Sequence, residues 1–245
     1  MADAKQIAIL GANSALAQAV ARLLAQKGCS LILVARNETK LAQVNDDLQA
    51  RGALTKSIVC DFNQLVGHDA LVEQLADCDE VFCFFGTLPD QEACEQSWEQ
   101  TQQALHTNFI SVVSILNRLA NVFEQRGHGS FVVVSSVAGD RGRKSNYIYG
   151  SAKGALSIYC AGLRNRLAGA GVHVLTVKPG FIDTPMTAHI EKKPAPLWVE
   201  PERVAADIVN AADKRRNELY TPWFWRYILL IIRHIPESIF KRLSL

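Results

Sequence analysis

The strongest constraint on this chain is a repeated alternation: short apolar runs, each followed by a longer stretch with helical period. The apolar runs fall at residues 7–10, 31–35, 57–60, 81–85, 131–134 and 172–177, with a shorter one at 219–220. None alternates apolar with polar residues as a strand wet on one face would, so each predicts a strand buried on both faces. Residues 15–27 place Leu16, Val20, Leu23 and Leu24 along one side of a helix that Gly28 stops. Asn37 can cap a second helix reaching about residue 51, and a third is expected over 69–75. Residues 99–124 carry a long helical period broken on its apolar side by Asn108, and residues 147–167 carry another. Pro201 opens a further helix to about residue 214. Strand and helix in turn imply a doubly wound, parallel α/β sheet of about seven strands, with helices on both faces. The chain has 245 residues, no internal repeat and no linker, and fits one domain. We assign residues 1–220 to it and 221–245 to a tail.

Composition excludes little, but charge placement is informative. The net charge of +2 argues neither way about nucleic acid, and no nucleic-acid partner is expected. Arg226, Arg233, Lys241 and Arg242 face only Glu237 across residues 220–245, so that segment carries +3 and the rest about −1. Six cysteines lie scattered, with no Cys-x-x-Cys pair and no histidine cluster beside them. They read as reduced structural thiols of a cytoplasmic protein, and no metal site is expected. The first residues lead straight into a strand-like run without a signal peptide's apolar stretch. No segment reaches the ~20 apolar residues of a membrane span.

Gly11-Ala-Asn-Ser-Ala-Leu-Ala17 joins the first strand to the first helix, where a Rossmann-type sheet places a dinucleotide. The helix start offers free N–H groups and the positive end of its dipole to a pyrophosphate. Gly11, Asn13, Ser14, Ala15 and Leu16 are the candidate contacts. Of the usual three glycines only Gly11 is present, with the small residues Ala15 and Ala17 at the other close-approach points. An ordinary strand-to-helix turn is the competing reading. At the end of the second strand, a carboxylate would accept from the ribose of NAD, and an arginine would pair with a 2′-phosphate. Leu33-Val-Ala-Arg36 has no acid and ends in a cation, so NADP(H) is expected over NAD(H), unless Arg36 merely starts a solvated helix.

Tyr149 and Lys153 lie four apart in a helix over 147–167 and project from one face. A phenol ionises at about 10, and a nearby ammonium favours the phenolate, which makes a usable general acid for a carbonyl oxygen. Ser136 lies thirteen residues before Tyr149, and Asn108 twenty-eight before Ser136. In this order Asn108, Ser136, Tyr149 and Lys153 resemble the Asn-Ser-Tyr-Lys tetrad of the short-chain dehydrogenase/reductase family. Both spacings select Tyr149 over Tyr147. The resemblance covers about residues 5–220 and implies an NAD(P)-dependent oxidoreductase acting on CH–OH and C=O groups. It implies that Tyr149 protonates the developing alkoxide while Ser136 hydrogen-bonds the same oxygen. It also implies that Lys153 lowers the Tyr149 pKa and binds the nicotinamide ribose, and that Asn108 helps hold a water linking Lys153 to solvent. Pro179-Gly180, followed by Ile182 and Thr184, looks like the family's nicotinamide-binding turn. Asp61, with Phe62 beside it, matches the adenine-contacting acid. Gly86 keeps backbone access to the adenosine ribose. The family's Asn-Asn-Ala-Gly at the fourth strand is Cys83-Phe-Phe-Gly86 here, an apolar wall instead. The family often pairs its two long helices, here about 99–124 and 147–167, into homodimers or homotetramers.

Trp223-Phe-Trp-Arg-Tyr-Ile-Leu-Leu-Ile-Ile232 is the most apolar stretch of the chain, and Trp and Tyr favour a membrane interface. With the basic residues around it, the segment over 222–245 suits peripheral contact with a membrane's inner face, or packing over the active site or a second subunit. The Gly11–Ala17 loop, Ser136-Val-Ala-Gly-Asp-Arg-Gly142 and this tail resemble a narrower subgroup that includes the decaprenylphosphoryl 2-keto-erythro-pentose reductases. That resemblance implies a lipid-linked keto sugar as substrate, with Arg141, Arg143 and Lys144 placed either to meet a phosphate or as a solvated loop. Two other readings stand beside it. One is a reductase of 3-oxoacyl or other small carbonyl compounds. The other is a non-catalytic NADP(H)-binding sensor or scaffold, which would be expected to lose tetrad members.

Overall fold

The computed structural model describes residues 4–191 and 196–243. Seven strands form one sheet: β1 (Gln6–Leu10), β2 (Ser30–Ala35), β3 (Thr55–Val59), β4 (Glu80–Cys83), β5 (Gly129–Val134), β6 (Val172–Pro179) and β9 (Glu218–Thr221). A short separate pair joins β7 (Phe181–Ile182) to β8 (Trp198–Val199). The large sheet has the order β3-β2-β1-β4-β5-β6-β9, and each of its pairings is parallel. The order reverses between β1 and β4, which opens a crevice at the carboxyl ends of those strands, the place where such sheets take ligands.

The helices are α1 (Ala15–Gln26), α2 (Glu38–Ala50), α3 (His68–Leu75), α4 (Gln91–Gln96), α5 (Trp98–Leu105), α6 (Ser111–Arg126), α7 (Tyr147–Leu167), α8 (Pro201–Asp213), α9 (Trp225–His234) and α10 (Glu237–Phe240). Side chains set several starts. Ser14 accepts from the Ala17 N–H to begin α1, Asn37 from Lys40 to begin α2, and Asp90 from Ala93 to begin α4. One face of the sheet is covered by α1, α2 and α8, through Leu16, Val20, Leu41, Val204 and Ile208. The other face packs against α3, α6 and α7, through Leu71, Ile115, Leu119 and Leu156. Every residue of β4 and β6 is buried, as the continuous apolar runs require.

The expected seven-stranded doubly wound sheet is present, and the differences are local. β4 ends at Cys83, yet Phe84 and Phe85 stay buried at 8% exposure each, so the apolar run over 81–85 recorded burial rather than strand. The expected long helix over 99–124 is divided into α5, a π-helical turn over His106–Ile110, and α6. Asn108 is the cause. Its Nδ2 donates to the Ala104 carbonyl at 2.9 Å, taking the acceptor that its own backbone N–H would have used. α4, β7 and β8 are too short for periodicity to mark. The apolar segment over 223–232 folds back as α9 against Val137 and Phe181.

Candidate active site

Three chain crossings meet at the mouth of β4 and β5. Ser136 follows β5, Tyr149 and Lys153 occupy the first turns of α7, and Asn108 sits in the π turn. Gly86, just past β4, lies between two of them. A Cβ built on Gly86 would fall 2.7 Å from Asn108 Oδ1 and 3.4 Å from Lys153 Nζ. Asn108 is fully buried and fixes this loop, accepting from the Thr87 N–H at 3.0 Å and donating to Thr87 Oγ1 at 3.3 Å. Both amide hydrogens of Asn108 are thus committed to protein acceptors, and what is left for a water is its oxygen.

Ser136 hydrogen-bonds the Tyr149 side chain, and its Oγ accepts from the Ala138 N–H at 3.1 Å. Burial pushes the Tyr149 phenol up to about 12, and the Ser136 hydrogen bond pulls in the other direction. Burial also brings the Lys153 ammonium down to about 8. Lys153 Nζ donates to the Val134 carbonyl at 3.0 Å and stands 5.8 Å from the Tyr149 ring centroid. The expectation that Lys153 draws the phenol below its ordinary value therefore differs from what these side chains do: desolvation dominates both groups. Tyr147 is exposed, with Glu95 and Gln91 as its partners, away from Ser136.

Several features that sequence reasoning did not single out hold these groups in place. The turn after Ser136 packs backbone to backbone on α7, where a Cβ on Gly139 would meet Gly154 N at 2.6 Å and one on Gly150 would meet Ala138 O at 2.8 Å. Buried Ser135 donates to the Lys153 carbonyl at 2.8 Å. Asp140 pairs with Lys178 at 3.0 Å with both side chains buried, and accepts from the Tyr220 hydroxyl at 2.7 Å. The only earlier sign of this was a charged Asp-Arg pair inside a Gly/Ser-rich loop. Arg141 is not free for a substrate phosphate. Its guanidinium caps α9 at the Ile232 and Ile235 carbonyls, pairs with Glu237 at 2.9 Å and stacks on Phe240. Arg143 is half-buried, its pKa lowered by desolvation, and Lys144 is exposed.

A cleft of about 620 Å³ runs from this point across the switch between β1 and β4. It brings together Gly11, Asn13, Ser14, Arg36, Asp61, Phe62 and Gly86 of the expected cofactor set. Ala15 and Leu16 lie just beyond, in the first turn of α1, Leu16 within the core. Gly11 has φ +86° and a Cβ there would strike the Phe85 backbone at 2.7 Å, so the loop needs glycine for both conformation and space. Asn13 Oδ1 is buried without a protein partner. These small, closely approached positions and the orphaned oxygen fit a dinucleotide's phosphates and ribose. Phe62 stacks on Phe85 at 4.1 Å, closing the wall that Phe84 and Phe85 make apolar. Arg36 is joined at the cleft by Lys40, and neither forms an ion pair with a described residue. Asp61 spends Oδ1 on the Asn63 N–H at 3.1 Å. Pro179, Gly180, Ile182 and Thr184 are not on that cleft. They form the turn after β6, against which the indole of Trp225 packs so closely that Gly180 has no room for a Cβ.

All six cysteines are free thiols, and burial pushes those of Cys83 and Cys160, beside Lys153, up to about 12. No group of histidine, cysteine and carboxylate side chains suited to a metal occurs among the described residues.

Residues 5–195 match the short chain dehydrogenase family. The chain is 36% identical to an uncharacterized oxidoreductase of Mycobacterium tuberculosis, over 98% of this chain and 97% of that protein. It is 27% identical to the ketoacyl reductase HetN of a Nostoc species, over 88% of this chain and 77% of that one. A short chain dehydrogenase from Burkholderia cenocepacia, solved in complex with NADP, superposes with a TM-score of 0.84 at 18% identity, covering 99% of this chain and 98% of that one.

Proposed function

The chain belongs to the short-chain dehydrogenase family, and on that premise we propose that it is an NADPH-dependent carbonyl reductase and alcohol dehydrogenase. The observation that carries this is the convergence of Ser136, Tyr149, Lys153 and Asn108 around Gly86, at the end of a cleft shaped for a dinucleotide. Bound nicotinamide supplies the hydride. The chain supplies the proton and the orientation. Tyr149 at about 12 stays protonated at neutral pH, which suits donation to a carbonyl oxygen as negative charge grows there. Ser136 shares that oxygen and turns the phenol toward it. Lys153, at about 8, is positive near neutrality and favours the phenolate left behind. Asn108 keeps Gly86 and Thr87 still, so the ribose-side wall does not drift. Pro179, Gly180, Ile182 and Thr184 would hold the nicotinamide end, and Asp61 and Phe62 the adenine end. Arg36, with Lys40, supports NADP(H) over NAD(H), since a 2′-phosphate would meet two unpaired cations.

For the substrate, the support is the apolar helix α9, which packs on Val137 next to Ser136 and on the turn at Gly180. A lipid-linked carbonyl compound such as a keto sugar suits that neighbourhood, with Arg143 and Lys144 the loop cations left for its phosphate. Similarity to a ketoacyl reductase favours a second reading, a 3-oxoacyl or other small carbonyl substrate. A non-catalytic NADP(H)-binding scaffold is disfavoured by the complete tetrad. Exposed Ile110, at 44% in the π turn before α6, and Ile158, at 76% on α7, support a homodimer or homotetramer through the two long helical segments. No helix among the described residues is long and apolar enough to cross a membrane. We read the protein as cytoplasmic, with peripheral contact to a membrane through residues 222–245.

Tyr149→Phe tests the assignment. It should abolish NADPH-dependent carbonyl reduction while NADPH affinity, read by fluorescence titration, stays near the parent value. Comparable residual turnover would refute it. Turnover of polyprenyl-phosphoryl keto-pentose against simple ketones separates the two substrate readings.

A further inference from the structure

We propose that the outward face of α9 and α10 docks on an anionic lipid surface, and that a cleft beside the start of α9 receives a lipid phosphate. This rests on the peripheral-membrane reading above and adds a headgroup site to it. The two sides of α9 meet different surroundings. Trp225 and Leu229 are buried at 4% and 3%, whereas Trp223, Tyr227, Leu230 and Ile231 are exposed at 68%, 57%, 53% and 68%. Ile239 and Leu243 extend the apolar patch at 53% and 41%. Trp223 and Tyr227 meet edge-on at 5.9 Å, a pair of amphipathic rings of the kind that settle at headgroup level.

The charges around the patch are basic except for Glu237. Arg226, Arg233, Lys241 and Arg242 are exposed, and none forms an ion pair with a described residue. The segment's acid, Glu237, is already held by Arg141. Beside Trp223 and Arg226 opens a cleft of about 380 Å³ that also exposes Arg203 and Arg216. Its carboxylates have partners: Asp207 accepts from the Thr221 hydroxyl at 2.7 Å and lies 3.7 Å from Arg203 within the cleft, and Glu218 lies 3.3 Å from Lys178. Arg216 and Arg226 are left to bind an anion, and guanidinium suits phosphate. A second copy of the chain is a poor occupant, because a two-fold contact would set the same cations against themselves. An anionic bilayer matches both the apolar patch and its rim.

Co-sedimentation of the full chain with phosphatidylcholine vesicles, with and without phosphatidylglycerol, tests this. The parent should pellet preferentially with the anionic vesicles, and less so at high salt. Ile231→Asp, at an exposed position, should weaken pelleting about tenfold, the order of effect of withdrawing one apolar side chain from the boundary and setting a carboxylate against an anionic surface. Arg216→Gln with Arg226→Gln should weaken it by about fivefold per charge removed. Unchanged thermal melts would show that both variants fold. If the double arginine variant pellets like the parent, the headgroup site is overturned while membrane contact stands. If the parent pellets with neither vesicle, both fall, as they do if Ile231→Asp instead dissolves a dimer seen by light scattering. No readout depends on turnover, so failure to reduce a lipid-linked carbonyl would strike the substrate reading alone.

Discussion

An alanine at Gly86 would place its Cβ 2.7 Å from Asn108 Oδ1, deep inside van der Waals contact, and 3.4 Å from Lys153 Nζ. The Asn108 amide has nowhere to retreat: it is fully buried and tied to the Ala104 carbonyl at 2.9 Å and Thr87 Oγ1 at 3.3 Å. Relief must come from moving the Gly86–Thr87 backbone, which breaks the 3.0 Å bond from the Thr87 N–H to Oδ1. Overpacking of this kind costs about 1–3 kcal/mol. A buried donor left without its acceptor adds about 1–3 kcal/mol. Gly86→Ala should therefore lose roughly 2–5 kcal/mol of stability, or about 5–15 °C in Tm for a chain of this size. Activity should fall further than stability implies, because a shift of about 1 Å beside reacting groups can cost about a hundredfold in rate. Thermal melts and NADPH-oxidation kinetics, run at a temperature where the variant is folded, measure the two separately. Gly67→Ala is the control, since a Cβ there meets nothing within 4 Å, and it should change stability by less than about 0.5 kcal/mol. A Gly86→Ala protein that melts and turns over like its parent would refute this account of the convergence.

Three further expectations follow from the same geometry. Lys153 titrates at about 8, and its charged form is the one that favours the Tyr149 phenolate, so kcat/KM for reduction should hold below that value and decline as pH rises through it. Lys153→Arg should remove the inflection, and an unchanged profile would assign it to another group. Asp140→Ala removes the buried partner of Lys178 and leaves it Glu218, half-exposed at 3.3 Å, so it should cost about 1.5–3 kcal/mol by chemical denaturation; a loss under about 0.5 kcal/mol would count against the pair as an anchor. His68 is fully buried between Ser114 and the Phe62 carbonyl, and burial lowers its pKa from the ordinary 6.5. The unfolded chain then binds the proton more readily than the folded one, so this contribution is complete above 6.5 and is lost as pH falls beneath it toward the depressed folded value. Stability of the parent and of His68→Gln measured from neutral to acid pH should converge as pH falls.

Residues that carry a periodic or positional signal could be read without coordinates. Continuous apolar runs marked the inner strands because a sheet covered on both faces leaves no polar side, whereas the edge strand β3 buries only Ile58 and exposes Val59, against the expectation of burial on both faces. Ser136, Tyr149 and Lys153 were legible through their resemblance, in order and spacing, to the family's tetrad. Asn108 showed as a break in an apolar face, but its bond to the Ala104 carbonyl, and hence the π turn, depends on where one amide points. Lys40 was missed at the cleft because its place there depends on the direction in which α2 leaves the end of β2, which the order of residues does not show. Asp140 was passed over, and Arg141 was left between a phosphate contact and a solvated loop, because their partners, Lys178 and the end of α9, are 38 and 91 residues or more away in the chain. The tail's apolar character was visible, whereas its division into a docked and an outward side was not drawn, although Arg226, Arg233 and His234 fall on the exposed side of α9 and Trp225 and Leu229 on the docked one.

The glycine contact between the Ser136 turn and α7 has one more consequence. Where main chain touches main chain, as at Gly139 and Gly154, the spacing is set by bond lengths and peptide planes, which are the same in every protein. Side chains that differ in size, rotamer or temperature response do not enter it. The separation of the two hydroxyls is thus calibrated by covalent geometry, while the walls around them are made of exchangeable parts. On the proposed reading, changes in α9, Arg143 or Phe181 would alter the substrate side without detuning proton transfer, which would make this scaffold a good one to retarget and a poor one to retune.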